Sequence, residues 1–168
     1  MENLKRPKIA VVGFGNILMG DEGIGVHVIH ELQKNYTSYP TSYTIELIDG
    51  GTSALDVILS LKDIDKLIII DAIKNGSNPG DIYKFHLSQV NTVSQSCHDG
   101  IRGIQKSSLH DLNLIDALKI VEKLGTLPKE VIFIGVEPKK IEPNIELSEE
   151  LKIKIPEITK TILYEVKQ

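Results

Sequence analysis

Apolar and polar positions group along this chain into segments that alternate between strand and helix patterns. Runs made almost wholly of aliphatic residues, at 9–12 and 67–70, are typical of strands in a parallel sheet covered on both faces. Other segments repeat apolar residues every three or four positions, which predicts amphipathic helices. The predicted strands are 9–13, 43–48, 67–70, 81–87 and 131–136, and the predicted helices are 23–34, 54–61, about 107–124 and 148 to about 166.

Some segments depart from this alternation. Residues 81–87 alternate apolar and polar side chains, so we expect a half-exposed strand at an antiparallel edge. The polar stretch 88–106 is predicted to be a long loop, and such loops in compact domains are usually functional or mobile. Gly125 is expected to end the third helix. Pro156 lies inside the last helical pattern and is expected to kink or break that helix, because proline lacks an amide donor.

The order of these elements predicts an α/β protein. We expect a three-layer α/β/α sandwich around a mostly parallel sheet of about five strands, with right-handed crossovers. The chain has 168 residues, of which 41% are hydrophobic and 25% are charged, and this suits one globular domain over residues 1–168.

Charge and cysteine content narrow the classes of function. The net charge is −4 and basic residues do not cluster strongly, so no nucleic acid is expected as a partner. No apolar run approaches the length of a membrane span, and residues 1–8 lack the apolar core of a signal peptide, so no membrane is expected as a partner. Cys97 is the single cysteine, which excludes an internal disulfide. Together these features predict a soluble cytoplasmic protein.

A glycine-rich stretch at 13–25 joins the first strand to the first helix. It lacks the third glycine of the dinucleotide-binding fingerprint, since Leu18 stands at that position. Gly15 and Gly20 have the spacing of a P-loop, but Asp21 and Glu22 replace the lysine and the hydroxyl that such a loop needs. Two carboxylates repel phosphate, so this loop is better suited to a cation.

Three acids and one histidine are predicted to meet at the carboxyl edge of the sheet. Glu22 lies in the loop after the first strand, whereas Asp49 and Asp71 end the second and third strands. His110 lies in the first turn of the third helix. Carboxylate oxygens and an imidazole nitrogen at one edge of a sheet are consistent with a site for a divalent metal with open positions. Taken singly, each residue has a simpler structural role, and Asp49 before two glycines can merely cap its turn.

The stretch Gly-x-Gly-Asn followed by Asp-Glu after the first strand resembles the start of the hydrogenase maturation proteases. Further matching pieces follow in order along the chain and extend the resemblance to about residue 143. These pieces are Asp49-Gly50-Gly51-Thr52, Leu67 through Asp71-Ala72, Pro79-Gly80, Ser108-Leu109-His110 and Ile134 through Glu137-Pro138.

The resemblance implies an endopeptidase that trims a C-terminal extension from the precursor of the nickel–iron hydrogenase large subunit after nickel insertion. It assigns metal contact to Glu22, Asp71 and His110, and it ties Asp49 to activity. The divalent metal is expected to be nickel supplied by the precursor, and the peptidase is expected to be aspartic-type or metal-assisted. Either Asp49 or Asp21 is the predicted general base.

Two other histidine arrangements compete with this assignment. His98 also precedes an aspartate, but it lies in a glycine-flanked loop, whereas His110 leads directly into an amphipathic helix. Cys97 beside His98 resembles a thiol nucleophile with its base, although sequence neighbours seldom have the required geometry. His27 and His30 match neither zinc-protease helix motif and are interpreted as a solvated helix face.

Two alternative functions remain open from the sequence. One is a module on the same fold that binds a nucleotide or another small ligand. The other is a nonenzymatic nickel carrier with the same three metal ligands.

Overall fold

The computed structural model describes residues 6–35, 42–88 and 109–168, although the side chains of residues 109–113 lie outside that description. The predicted loop at 88–106, with Cys97 and His98, falls almost wholly outside the described residues. The strands are β1 Lys8–Phe14, β2 Thr44–Gly51, β3 Lys66–Ala72, β4 Ile82–His86 and β5 Glu130–Val136. The helices are α1 Ile24–Asn35, α2 Ala54–Ser60, α3 Leu109–Lys123 and α4 Glu149–Val166, with a short 3-10 helix at Asp21–Gly23.

The five strands form one sheet in the order β2-β1-β3-β5-β4. Parallel pairing joins β1 to β2 and β3, and β3 to β5, as the continuous aliphatic runs predict. Strand β4 is antiparallel to β5 and occupies one edge, which confirms the expectation drawn from its alternating pattern. The predicted α/β class and mostly parallel sheet are therefore confirmed.

Alternate side chains of each central strand enter two separate apolar clusters. Ile9 and Val11 of β1 pack with the buried faces of α1 and α4. Ala10 and Val12 pack on the opposite face of the sheet with α2 and α3. The sheet is thus covered by helices on both faces, and the predicted three layers are present.

Helix α4 runs without interruption from Glu149 to Val166 with Pro156 inside it, so the expected break does not occur. Pro156 is exposed, and the buried side chains Leu151, Ile158 and Ile162 on the opposite face hold the helix against the sheet. Gly125 follows α3 with a φ of 70° and ends it as predicted.

In the described parts of the chain, none of the helices combines the length and the hydropathy that a membrane span requires.

Candidate active site at the carboxyl edge of the sheet

Glycine allows the loop after β1 to lie directly on the sheet. Gly15 has a φ of 132°, and a Cβ there would lie 1.9 Å from the backbone oxygen of Glu22. A Cβ on Gly25, at the start of α1, would lie 2.3 Å from the oxygen of Phe14 and 2.4 Å from that of Ile70. These two glycines bring the loop and the start of α1 against the ends of β1 and β3, and this places Glu22 at the carboxyl edge.

Glu22 and Asp71 are brought to the same end of the sheet. The short 3-10 helix that carries Glu22 packs against β3, the strand whose last two residues are Asp71 and Ala72. Both acids are half-buried, and Asp71 Oδ1 accepts a hydrogen bond of 2.8 Å from the amide of Ala72. Among the described residues, the Glu22 carboxylate takes part in no hydrogen bond or ion pair. It is therefore available as a ligand.

His110 is the second residue of α3, and its side chain lies outside the described residues. Six residues separate the end of α3 from the start of β5, so the helix must run antiparallel to that strand. The first turn of α3 therefore lies at the carboxyl edge. The buried residues of α3 join the same apolar cluster as Leu67 and Ile69. Because side chains alternate along a strand, Asp71 belongs to that face as well. The fold thus brings the helix turn of His110 and the strand end of Asp71 to one side of the edge.

Among the side chains that the structure describes, no group of three or more His, Cys, Asp or Glu residues forms a metal site. The side chain of His110 lies outside the described residues, so the set of Glu22, Asp71 and His110 stays a prediction.

Asp49 is held in a different way and on the other face. It pairs with Gly13 of β1, and alternation places both on the face covered by α1. Its Oδ2 lies 2.9 Å from His30 Nε2 on that helix, and its Oδ1 accepts a 3.0 Å hydrogen bond from the amide of Gly51. The second bond is a local cap of the kind that the sequence allowed, but it lies within the last residues of β2 rather than in a turn after the strand. Asp49 and Asp71 therefore share an edge of the sheet but lie on opposite faces.

The sequence predicted that the two histidines of α1 lie on a solvated helix face, but neither side chain is simply exposed to solvent. His30 is paired with Asp49, although both side chains keep about two fifths of their surface exposed. His27 is half-buried, and its Nε2 has no hydrogen-bond partner in the part of the chain that the structure describes. Burial lowers the pKa of His27, and the nearby His30 and Lys34 act in the same direction. Sequence reasoning missed the His30 pair because nothing in the spacing links a helix position to a strand end 19 residues later.

Asp21 has a structural setting. It is only 1% exposed, and its Oδ2 accepts hydrogen bonds from the amides of Lys139 (2.9 Å) and Lys140 (3.1 Å) and from the hydroxyl of Ser148 (2.9 Å). Its Oδ1 accepts a 2.7 Å bond from the amide of Ser148, the N-cap residue of α4. A carboxylate bonded in this way joins the first loop to residues 139–148. Its use as a general base stays a prediction that this geometry does not favour.

Glu137 is a second buried carboxylate at this edge, and sequence reasoning gave it no role. It is 3% exposed and accepts hydrogen bonds from the amides of Asn75 (2.8 Å) and Gly76 (3.1 Å) and from the hydroxyl of Tyr83 (2.5 Å). Burial raises the pKa of Glu137, but these hydrogen bonds outweigh burial and hold the pKa below its ordinary value. Burial and the bond to Glu137 raise the pKa of Tyr83. Glu137 thereby secures the turn that follows Asp71.

Exposed apolar side chains border the first loop. Gly20 donates a 2.7 Å backbone hydrogen bond to Asn144, and Asn144 donates a 3.0 Å bond to Leu18, so the two segments lie side by side. Leu18 is 60% exposed and Ile145 is 72% exposed. A cavity of about 140 Å³ lies beside Asp21 between these segments. This volume is well below the roughly 300–1,000 Å³ of typical small-molecule pockets.

Comparison with known proteins decides the family. A family model described as hydrogenase maturation protease matches residues 26–165. The chain belongs to the hydrogenase maturation protease family.

Solved structures of family members agree with this assignment. The E. coli hydrogenase maturating endopeptidase HybD has a TM-score of 0.79 and 30% identity, and the match covers 95% of this chain and 91% of that one. HybD from Thermococcus kodakarensis has a TM-score of 0.71 and 25% identity, with coverage of 96% and 99%.

Curated relatives are similar over most of this chain. The hydrogenase 2 maturation protease of Escherichia coli K12 is 34% identical over 142 residues, which cover 84% of this chain and 79% of that protein. The hydrogenase expression/formation protein HupD of Thiocapsa roseopersicina is 31% identical over 81% of this chain and 57% of its own length. HupD of Bradyrhizobium diazoefficiens is 34% identical over 80% of this chain and 65% of its own length. The chain therefore spans less than two thirds of these two HupD relatives.

Proposed function

We propose that this chain is an endopeptidase that removes a C-terminal extension from the nickel-loaded precursor of a nickel–iron hydrogenase large subunit. Membership of the maturation protease family and the fold shared with HybD support this activity. The observation that carries the proposal is the contact of the 3-10 helix of Glu22 with β3, which ends in Asp71 and Ala72. The chain order puts the start of α3 at the same edge of the sheet.

In this proposal the metal belongs to the substrate. Glu22 and Asp71 offer carboxylate oxygens and His110 offers an imidazole nitrogen, a donor set that suits a borderline divalent ion such as nickel. The half-buried Glu22 without a partner among the described residues fits a ligand that meets its metal only when the precursor docks. Precursor without nickel would lack this anchor, which would explain how premature cleavage is avoided.

The proposed base is Asp49 rather than Asp21. Both oxygens of Asp21 are buried in hydrogen bonds, whereas Asp49 is exposed at the edge. In the reaction, the oxygen of a water molecule attacks the scissile carbonyl carbon while Asp49 takes up a proton from that water. The tetrahedral intermediate then breaks the carbon–nitrogen bond, and the leaving amine takes up that proton.

The positions of Asp49 and Asp71 bear on the role of the nickel. Strand β1 lies between β2 and β3, so two strand spacings, about 10 Å, separate the two strand ends. About three residues of extended peptide span that distance. We therefore propose that the nickel anchors the precursor on the Asp71 side while cleavage occurs nearer to Asp49. This arrangement favours an aspartic-type mechanism over a mechanism in which the metal polarises the scissile carbonyl.

The test is a processing assay with nickel-loaded and nickel-free precursor, with the new C-terminus read by mass spectrometry. We expect cleavage of the loaded precursor alone. Equal cleavage of both forms would retain the peptidase and contradict the nickel anchor. Absence of cleavage, with nickel bound by the chain itself, would favour the carrier function instead.

A pair of histidine variants tests the anchor within the same assay. We expect His110→Ala to abolish processing of the loaded precursor and His98→Ala to leave it close to the wild-type rate. The reverse result would transfer the ligand role to His98. Normal processing by both variants would remove histidine from the anchor.

A further inference from the structure

The proposed reaction steps use Asp49 but not His30, the residue with which Asp49 is paired. His30 lies in the middle of α1, and its neighbours Val28 and Ile29 are fully buried against the sheet. Helix α1 packs against β1, β2 and β3, so the backbone at His30 is rigidly held. A side chain on such an element presents its polar atoms at a defined place.

The contact defines the orientation of the Asp49 carboxylate. Oδ1 is held by the amide of Gly51 at 3.0 Å, and Oδ2 lies 2.9 Å from His30 Nε2. An ionised carboxylate only accepts hydrogen bonds, so the imidazole must present an N–H at Nε2. One donor is the last residue of β2 and the other belongs to α1, and together they fix both oxygens.

Loss of the second donor would release one of these oxygens. Asp49 is at the end of an edge strand and its side chain is 41% exposed, so packing alone does not fix its rotamer. A base must lie within hydrogen-bond reach of the water that it deprotonates, and small displacements lower the rate steeply.

We infer that His30 is a positioning residue that orients Asp49 for proton transfer in peptide hydrolysis. This inference rests on the proposed function and on Asp49 as its base. His30 acts through the carboxylate and does not touch the substrate. The interaction joins α1 to the Asp49-Gly50-Gly51 end of β2, and it gives His30 a role in the reaction.

The experiment measures kcat and KM for processing of the nickel-loaded precursor by wild type, His30→Ala and His30→Gln. We expect His30→Ala to lower kcat about tenfold with KM unchanged, because substrate contacts remain while the base is misplaced. We expect His30→Gln to recover most of that loss, since its amide offers an N–H at similar reach. Lys34→Ala, an exposed change one turn later on α1, serves as the matched control and should match wild type.

Thermal unfolding of each variant separates positioning from folding. We expect the four proteins to unfold at nearly the same temperature, because the pair is about two fifths exposed. Processing by His30→Ala at the wild-type rate would overturn the inference and leave the proposed function intact. A His30→Gln variant as slow as His30→Ala would also overturn it, because the donor would then not matter. A wild-type chain that leaves the precursor uncut would overturn the proposed function first, and this inference with it.

Discussion

The two neighbouring carboxylates of the first loop lie in opposite surroundings. On one side, Asp21 points into the protein, where residues 139–148 surround it and four hydrogen bonds occupy its two oxygens. On the other side, Glu22 lies half-buried at the open edge near the end of β3 and has no hydrogen-bond partner among the described residues.

Hydrogen bonding and burial together separate structural from functional acids at this edge. A buried carboxylate is tolerated only when donors replace the water that it has lost, so a full set of hydrogen bonds marks a structural role. A half-buried carboxylate without such donors has kept its capacity to bind a ligand. Glu137, with three donors and 3% exposure, belongs with Asp21 by this criterion.

The largest expected effect comes from Glu22→Gln. Replacing the carboxylate by a neutral amide of the same shape should slow processing of the nickel-loaded precursor by about 100-fold or more, since a proposed metal ligand is lost. The melting temperature should stay within about one degree of wild type because few interactions are removed. Mass spectrometry of a processing time course and thermal unfolding provide the two readings. A normal processing rate, or a large loss of stability, in Glu22→Gln would contradict the proposed difference in role between Glu22 and Asp21.

The next effect concerns stability. Asp21→Ala should lower the free energy of unfolding by about 3 kcal/mol, because it leaves buried donors of Lys139, Lys140 and Ser148 without their acceptor. Asp21→Asn should lose about half as much, since its amide keeps one accepting oxygen. Urea unfolding monitored by circular dichroism measures both variants. Unchanged stability in Asp21→Ala together with lost processing would instead restore Asp21 as a candidate base.

The smallest expected effect tests whether Glu137 behaves as Asp21 does. Tyr83→Phe removes one of its donors and should lower the free energy of unfolding at neutral pH by about 1 kcal/mol. The folded-state pKa of Glu137 lies below its ordinary value, so the stabilisation is present above that value and is lost as the pH falls through the lowered folded pKa. The difference between Tyr83→Phe and wild type should therefore shrink below about pH 4 in urea unfolding curves. A difference that is constant down to pH 3 would show that the hydroxyl does not stabilise the carboxylate.

Much of the fold was predictable because its signals are local. The aliphatic runs at 9–12 and 67–70 predicted buried parallel strands, and the alternation at 81–87 predicted the antiparallel edge. Gly125 adopts the left-handed conformation that ends a helix. Pro156 was misleading, since tertiary packing of α4 outweighs the local cost of a proline.

The site was predictable only in its topology. Strand ends and a helix start could be assigned to the carboxyl edge from the order of elements, and this brought Glu22 and Asp71 together. The settings of Asp21 and His30 depend on partners up to 127 and 19 residues away, and no local pattern encodes them. Alternation along β2 and β3 does imply that Asp49 and Asp71 face opposite ways, but the exact strand ends are needed to see it.

The bonds of Asp21 also have a kinetic consequence. They close a contact between positions separated by 118 to 127 residues, and contacts at such separation form late because a long chain must first be ordered. During synthesis, the first loop emerges from the ribosome long before Ser148 does. We therefore expect the loop that carries Glu22 to reach its final shape late, when residues 139–148 dock, so that a nascent or truncated chain would present the proposed ligand without its final geometry.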